Sequence, residues 1–250
     1  MVDLTGKLAI VTGAAQGIGR AIATALGQAG ADLALLDLDS ERLQTVQGDF
    51  RAAGADVRTY QVDVTDTPAV SSVVDTVMEA FGQVDILVNS AGIVSSKPFS
   101  DCSEKDYDDV LGVNLKGVFN SCRAVFPLMV ARRYGKIVNI ASIAGKRGGG
   151  VFGNTIYAAS KGGVIALTKG LAREGGPYGV NVNAVCPGPT NTQMIAGFTG
   201  ERREHFLRSV PLQRFSEPED VANVTLFLAS DLSRQLTGEI SDVDGGIMMD

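Results

Sequence analysis

Histidine is almost missing from this chain. His205 is the single copy in 250 residues, so metal sites built from several histidines are excluded. Cysteine is scarce too. Cys102, Cys122 and Cys186 are widely spaced, odd in number and form no CxxC pair. Such usage predicts reduced thiols in a cytoplasmic protein rather than a disulfide framework. Basic residues are outnumbered, 22 against 28 acidic, for a net charge of −6. That balance favours solubility and argues against non-specific binding of nucleic acid. No run reaches 18 uninterrupted apolar residues, so no transmembrane helix is expected. The start, MVDLTGK, carries no apolar segment of the kind a signal peptide needs. Proline is sparse at 8.

Glycine, by contrast, is abundant. The chain has 30, about 12% against a usual share of about 7%. The glycines lack the strict period of three that collagen requires. Low proline and 45% hydrophobic residues set the excess apart from disordered Pro/Gly-rich composition. A chain of this length can bury a large core.

Short β-rich runs alternate with longer helical patterns. Strands are predicted over 7–12, 32–37, 56–62, 84–89, 136–141, 180–186 and 239–243. Helices are predicted over 17–29, 40–53 with Ser40 as N-cap, 67–81, 103–133 as one helix or two, 154–175 and 217–229. Pro218 falls in the first turn of the last, where its missing N–H costs little. Nearly all-apolar strands about 25 residues apart fit an α/β fold. The expectation is a doubly wound parallel sheet of Rossmann type with helices on both faces. No linker or repeat divides it, so residues 1–250 read as one domain. Residues 190–211 break the alternation and suggest a substrate lid.

The first strand runs into Thr12-Gly-Ala-Ala-Gln-Gly-Ile-Gly19. Glycines there permit a tight turn and close approach of backbone to a pyrophosphate. The helix that follows offers free N–H groups and a partial positive charge. Ordinary strand–helix turns can also be glycine-rich; the preceding strand and following helix give this one its meaning. Asp37 ends the second strand, 18 residues after Gly19. A carboxylate there accepts hydrogen bonds from an adenosine ribose diol and repels a 2′-phosphate, which points to NAD over NADP. A solvated strand-end aspartate is the simpler alternative. Leu38 and Asp39 supply no base for a phosphate, and the nearest, Arg42, falls in the next helix.

The spacing TGxxxGxG resembles that of the short-chain dehydrogenase/reductase family. The family's other marks follow in order: Asp63-Val64, Asn89-Ser90-Ala91-Gly92, Asn114, Ser142, Tyr157-Ala-Ala-Ser-Lys161, Pro187-Gly188 and Asp244-Gly245-Gly246. The resemblance spans the whole chain. It implies that Gly13, Gln16, Gly17, Ile18 and Gly19 surround the diphosphate and ribose, and that Asp63 and Val64 flank the adenine. Asn89, Ala91 and Gly92 would line the path to the nicotinamide. Pro187, Gly188, Thr190 and Thr192 would approach the nicotinamide itself. Ser90 departs from the family, which more often has a second asparagine there.

Tyr157 and Lys161 are four apart in a helical segment and share a face. Hydride cannot leave a carbinol carbon unless a proton leaves its oxygen. A free phenol near pKa 10 is a poor base at neutral pH, and a nearby ammonium lowers that value. The resemblance makes Tyr157 the acid/base and gives Lys161 a second role on the nicotinamide ribose. Ser142 would hold the substrate oxygen, and Asn114 would hold a water linking Lys161 to solvent. His205 falls in the lid segment, far from these motifs. No metal is implied.

The segment between Ser142 and Tyr157 departs from many relatives. It is about two residues longer, holds the glycine cluster Gly148–Gly150 with Gly153, and carries Lys146 and Arg147. These two bases either draw an anionic substrate or are solvated charges on an exposed loop. The lid places Met194, Ile195 and Phe198 before Glu201, Arg202, Arg203 and His205, a partly apolar wall. Cys186 reads as a buried thiol.

Three readings follow. The first is an NAD-dependent dehydrogenase of a secondary alcohol or 3-hydroxyacyl-type substrate. The second is a carbonyl reductase of the β-ketoacyl-thioester type, a class that usually prefers NADPH, which Asp37 opposes. The third is a non-catalytic NAD-sensing scaffold that kept the fold and lost the chemistry. The expected partners are a small alcohol or ketone, with no nucleic acid and no membrane. The resemblance also implies a homotetramer, with the apolar tail Ile247-Met-Met against a neighbour.

Overall fold

The structure is a computed structural model that describes residues 2–52, 56–150, 153–195 and 199–249; of Arg51, Ala52, Met194 and Arg202 it describes the backbone alone. Phe198 of the expected lid, residues 151–152 of the glycine-rich loop, and residue 53 lie outside the described residues.

Seven strands form one parallel sheet: β1 (Leu8–Thr12), β2 (Asp32–Asp37), β3 (Val57–Gln61), β4 (Ile86–Asn89), β5 (Gly135–Ile140), β6 (Val180–Pro187) and β7 (Ile240–Val243). Their order is β3-β2-β1-β4-β5-β6-β7. Every residue of β1, β4 and β5 is buried, as strands covered on both faces must be.

The helices divide between the faces. On one side α1 (Gly17–Gln28), α2 (Ser40–Ala52) and α9 (Pro218–Ala229) pack Ile22, Leu26, Leu43, Val46 and Val221 on Ala9, Val11, Leu33 and Leu35. On the other, α3 (Thr67–Phe81), α5 (Gly117–Arg132) and α7 (Thr155–Gly175) pack Val74, Val77, Val125, Met129 and Val164 on Ile10, Leu36, Leu87 and Ile137. Each fully buried Val, Leu or Ile contributes roughly 1.5–3 kcal/mol.

Helix boundaries follow local chemistry. Asp66 caps α3 by accepting the Ala69 N–H at 3.0 Å, and Gly82 ends it in the left-handed conformation. Ser103 and Asp106 form a capping box at the start of α4 (Glu104–Leu111). The start of α2 corrects one expectation. Ser40 is its first helical residue, and Asp39 is the cap, accepting the Arg42 N–H at 3.0 Å.

The long helical pattern after Ser103 is continuous but not uniform. Between α4 and α5 the turns widen to a π-helix at Gly112–Lys116, which carries Asn114 into the protein. Such widened turns recur at functional sites.

Because β1 pairs with β2 on one side and β4 on the other, the chain reverses direction across the sheet beside β1. The crevice beyond the carboxyl ends of β1 and β4 is where open α/β sheets bind ligands. At the opposite edge, Asp85 joins the strands. It is 1% exposed, accepts the Leu8 N–H at 2.9 Å and pairs with Arg132 at 3.2 Å.

Candidate active site

A cleft of about 510 Å³ opens over the carboxyl edge of the sheet. Its floor begins at the turn after β1. A β-carbon on Gly19 would stand 2.0 Å from the Gly13 carbonyl oxygen, so helix and turn can close this far only with glycine there. Thr12 holds the neighbouring turn, its hydroxyl accepting the N–H groups of Ser90 at 3.1 Å and Ala91 at 3.2 Å.

Gly13, Gln16, Gly17, Ile18 and Gly19 all line the cleft. No side chain caps α1, and its first turn holds no acidic residue. Its leading N–H groups are therefore left for an anion. Asp37 lines the same cleft, fixed by two backbone donors: Ala15 N–H to Oδ2 at 3.0 Å and Asp39 N–H to Oδ1 at 3.1 Å. Arg42 reaches back across the rim, donating to the Gln16 side chain and pairing with Asp39 at 3.2 Å. Asp63, Val64, Ala91 and Gly92 line the middle, and Pro187, Gly188, Thr190 and Thr192 the far side. An uncapped helix start, a turn with no room for a β-carbon and a fixed carboxylate suit a dinucleotide's diphosphate and ribose.

Two expected residues stand apart from the cleft wall. Asn89 is 2% exposed and turns inward, because alternate side chains of a strand face opposite layers. Its Nδ2 donates to Asn139 at 2.8 Å and to the Cys122 sulfur at 3.3 Å, and its Oδ1 has no partner among the described residues. Asn139 in turn donates to Thr168 at 2.9 Å. Asn89 thus ties β4 to β5 beneath the site.

Asn114 is fully buried. Its Oδ1 accepts the Ile93 N–H at 2.8 Å, while its Nδ2 donates to the Ile93 carbonyl at 2.9 Å and to Ser160 at 3.0 Å. A β-carbon on Gly92 would meet Asn114 Oδ1 at 3.3 Å and Lys161 Nζ at 3.4 Å, so the two side chains flank one glycine. The geometry gives Asn114 a clamping role on the loop after β4 that the sequence reading omitted. Ser160, also unassigned, completes the clamp by donating to the Tyr157 carbonyl at 2.7 Å.

Ser142, Tyr157 and Lys161 meet at the cleft's deep end. Ser142 caps α6 (Ile143–Arg147), accepting the Ala144 N–H at 3.1 Å, and shares a hydrogen bond with the Tyr157 phenol. Lys161 is 4% exposed and donates to the Ile140 carbonyl at 2.8 Å. Burial lowers its ammonium pKa to about 8.

The phenol behaves differently from the sequence expectation. Burial raises the Tyr157 pKa; the Ser142 hydrogen bond opposes that rise without cancelling it, and Cys186 adds to it. Lys161 Nζ lies 6.0 Å from the ring centroid and is bonded to Ile140, so its charge does not prevail. At neutral pH Tyr157 is therefore a proton donor, and Lys161 keeps its charge. Burial likewise pushes the Cys186 thiol up to about 12, which makes it inert as a nucleophile.

The glycine-rich loop divides its two bases. Lys146 turns away and pairs with Asp242 at 2.8 Å, whereas Arg147 lines the cleft. Gly153 lies against the Tyr157 ring. From the expected lid, Thr190, Thr192, Gln193, Ile195 and Phe206 line the cleft, while His205 on α8 (Gly200–Leu207) is exposed and does not. Phe206, Ile93 and Val113 went unassigned in the sequence, since single apolar residues carry no motif. Among the described residues no helix is long and apolar enough to cross a membrane.

Comparison with known proteins agrees with this geometry. Residues 13–248 match the family described as enoyl-(acyl carrier protein) reductase. The 3-oxoacyl-[acyl-carrier-protein] reductase FabG of Thermotoga maritima is 42% identical over 246 residues, covering 98% of this chain and 99% of that protein. An uncharacterized short-chain type dehydrogenase/reductase of Sinorhizobium fredii, y4mP, is 39% identical over 251 residues, covering 98% and 99%. The crystal structure of gox2181 superposes with a TM-score of 0.94 at 36% identity, covering 98% of this chain and 97% of that one.

Proposed function

The chain belongs to the short-chain dehydrogenase/reductase family of oxidoreductases acting on carbonyl and hydroxyl groups, and from that premise we propose that it interconverts a secondary alcohol, or a 3-hydroxyacyl-type substrate, and its ketone with NAD. One observation carries the reading. Tyr157, Ser142 and Lys161 converge in the same cleft that Asp37 and the open end of α1 line.

NAD, when bound, supplies the carbon that takes or gives the hydride. The protein's part is binding and proton transfer. The first turn of α1 would hold the diphosphate, Asp37 the adenosine ribose, Asp63 and Val64 the adenine, and Thr190 and Thr192 the far end. Ser142 Oγ orients the substrate oxygen. Tyr157 Oη gives that oxygen a proton during reduction and takes it back during oxidation, so one phenol serves both directions. Lys161 sets an ammonium at the deep end of the cleft, 6.0 Å from the centroid of the Tyr157 ring. Asn114 fixes the loop at Gly92 beside Lys161. Residues 190–211 serve as a lid whose Ile195 and Phe206 shield the reacting carbon from water.

A second reading is reduction of a β-ketoacyl thioester with NADPH. Two observations favour it: Tyr157 is held as a phenol, ready to donate, and Arg42 sits at the rim beside Gln16. The name of the Thermotoga relative agrees with it. We also propose a homotetramer, because Tyr107 on α4 and Phe119 on α5 are 49% and 47% exposed and Met249 is 80% exposed. Ile247 and Met248 pack on the chain's own core, so only the end of the tail is left for a neighbour.

The test is absorbance of reduced cofactor, with NAD and NADP in parallel, over secondary alcohols, hydroxyacyl thioesters, sugars and diols. NAD-linked turnover that Tyr157→Phe abolishes, with cofactor binding intact, supports the first reading. A clear NADPH preference replaces it with the second. Near-normal turnover by Tyr157→Phe removes the assignment of the acid/base.

A further inference from the structure

Among the described residues that line the cleft four are charged, and two of them stand on its adenosine side, Asp37 at the end of β2 and Asp63 just beyond β3. The other two are cations. Lys161 is buried and bonded to Ile140. Arg147 is exposed, and among the described residues it meets no carboxylate within ion-pairing distance. A guanidinium that lines a cleft with its donors open to solvent is built to meet a planar anion, through two parallel hydrogen bonds.

Its place is set by the catalytic residues themselves. Ser142 caps α6, and Arg147 is the last residue of that helix. Five residues at about 1.5 Å each set the Arg147 backbone about 7 Å along the axis from Ser142. The chain then returns: the Gly150 N–H donates to the Gly153 carbonyl at 3.0 Å, and Gly153 packs on the Tyr157 ring. Ile93, Val113, Ile143 and Ile195 supply apolar wall.

We propose that Arg147 anchors an anionic group of the substrate, so that the site takes an alcohol or ketone joined by an apolar chain to a terminal carboxylate or phosphate. This rests on Ser142 and Tyr157 holding the reacting oxygen, as proposed above. The five-residue separation of Ser142 and Arg147 along α6 is the reason for placing a chain of several carbons between carbinol and anion. Lys146 has no share, being turned onto Asp242.

The test has a binding arm that needs no turnover. Octanoate, octyl phosphate and neutral 1-octanol are titrated calorimetrically into the protein saturated with NADH. Arg147→Gln weakens one or both anions by about tenfold or more and leaves 1-octanol unchanged. Loss for octanoate alone identifies a carboxylate, and loss for octyl phosphate alone a phosphate. Lys146→Gln leaves all three unchanged. An equal effect of the two variants, an unchanged anion affinity in Arg147→Gln, or no anion binding by the parent overturns the proposal.

The kinetic arm compares 7-hydroxyoctanoate with its methyl ester. In the parent kcat/KM favours the acid; Arg147→Gln removes the preference by raising KM for the acid with kcat retained. Ester turnover that depends on Tyr157 while the acid gains nothing sinks the anchor and spares the reaction. Anion binding that needs Arg147 in a protein that turns over neither compound sinks the reaction and spares the anchor.

Discussion

Gly153 and the ring of Tyr157 occupy one space. A β-carbon on Gly153 would stand 2.3 Å from Cδ1 and 2.9 Å from Cε1 of the tyrosine. Gly153→Ala therefore pushes the ring, and with it the phenol, out of its present place. A displacement near 1 Å at the reacting group costs up to about 100-fold in rate. We expect kcat to fall by about 10- to 100-fold while cofactor affinity, read by NADH fluorescence, changes less than about twofold. Unchanged kcat shows that the ring has room to retreat without losing its alignment.

That contact marks what the sequence could and could not tell. Apolar runs such as LAIVT and ILVN specify buried parallel strands because nothing else accommodates so many branched side chains. The ordered motifs place about half of the cleft residues, most of them just beyond a strand end, with Tyr157 and Lys161 on α7. Gly153 was countable but had no evident purpose, because its constraint comes from a side chain on another element. The inward turn of Asn89 was hidden for a related reason: strand parity gives the face, but its partners Cys122 and Asn139 come from the tertiary packing. The opposite fates of Lys146 and Arg147 depend on where Asp242 comes to rest, almost a hundred residues away.

Asp37 tests the choice of cofactor. Its carboxylate is held against the cleft by Ala15 and Asp39 N–H groups, and on the proposed reading it would repel a 2′-phosphate. Asp37→Ser keeps a small hydrogen-bonding group and removes the charge. Arg42 is already close by, bonded to Gln16. The ratio of kcat/KM for NADP over NAD is expected to rise by about tenfold or more, as loss of a single repelling charge allows. The measurement is parallel kinetics with both cofactors. A ratio that stays put moves cofactor selection to another residue.

Asp85 separates stability from activity. It lies at the amino edge of the sheet, across the molecule from the cleft, and its charge is compensated by Arg132 at 3.2 Å and Lys7 at 3.8 Å. Asp85→Ala leaves the buried Leu8 N–H without its acceptor and both cations without their partner. Removing one member of such a buried set costs about 3–5 kcal/mol, and the half-exposed arginine places this case near the lower end. Urea unfolding should show a loss of about 3 kcal/mol, with kcat unchanged at temperatures where the variant stays folded. A fall in kcat under those conditions means that the amino edge is coupled to the cleft.

Lys161 links catalysis to the pH dependence of stability. Burial lowers its pKa from 10.5 to about 8, so the folded state releases this proton before the unfolded chain does. Below about pH 8 both states are charged and the folded state bears the full cost of a buried ammonium. Between about pH 8 and 10.5 the unfolded chain binds more protons, and stability from this group rises with pH; above that window both states are neutral and the cost is gone. The comparison is with Lys161→Met, which cannot titrate. From pH 7.5 to 9.5 the unfolding free energy of the parent should gain about 2 kcal/mol on that of the variant. The gain isolates Lys161, because the other titrating groups are common to both proteins. A difference that stays flat with pH would mean that the cleft solvates the ammonium well enough to leave its proton in place, and that Lys161 acts at neutral pH as a permanent charge beside Tyr157.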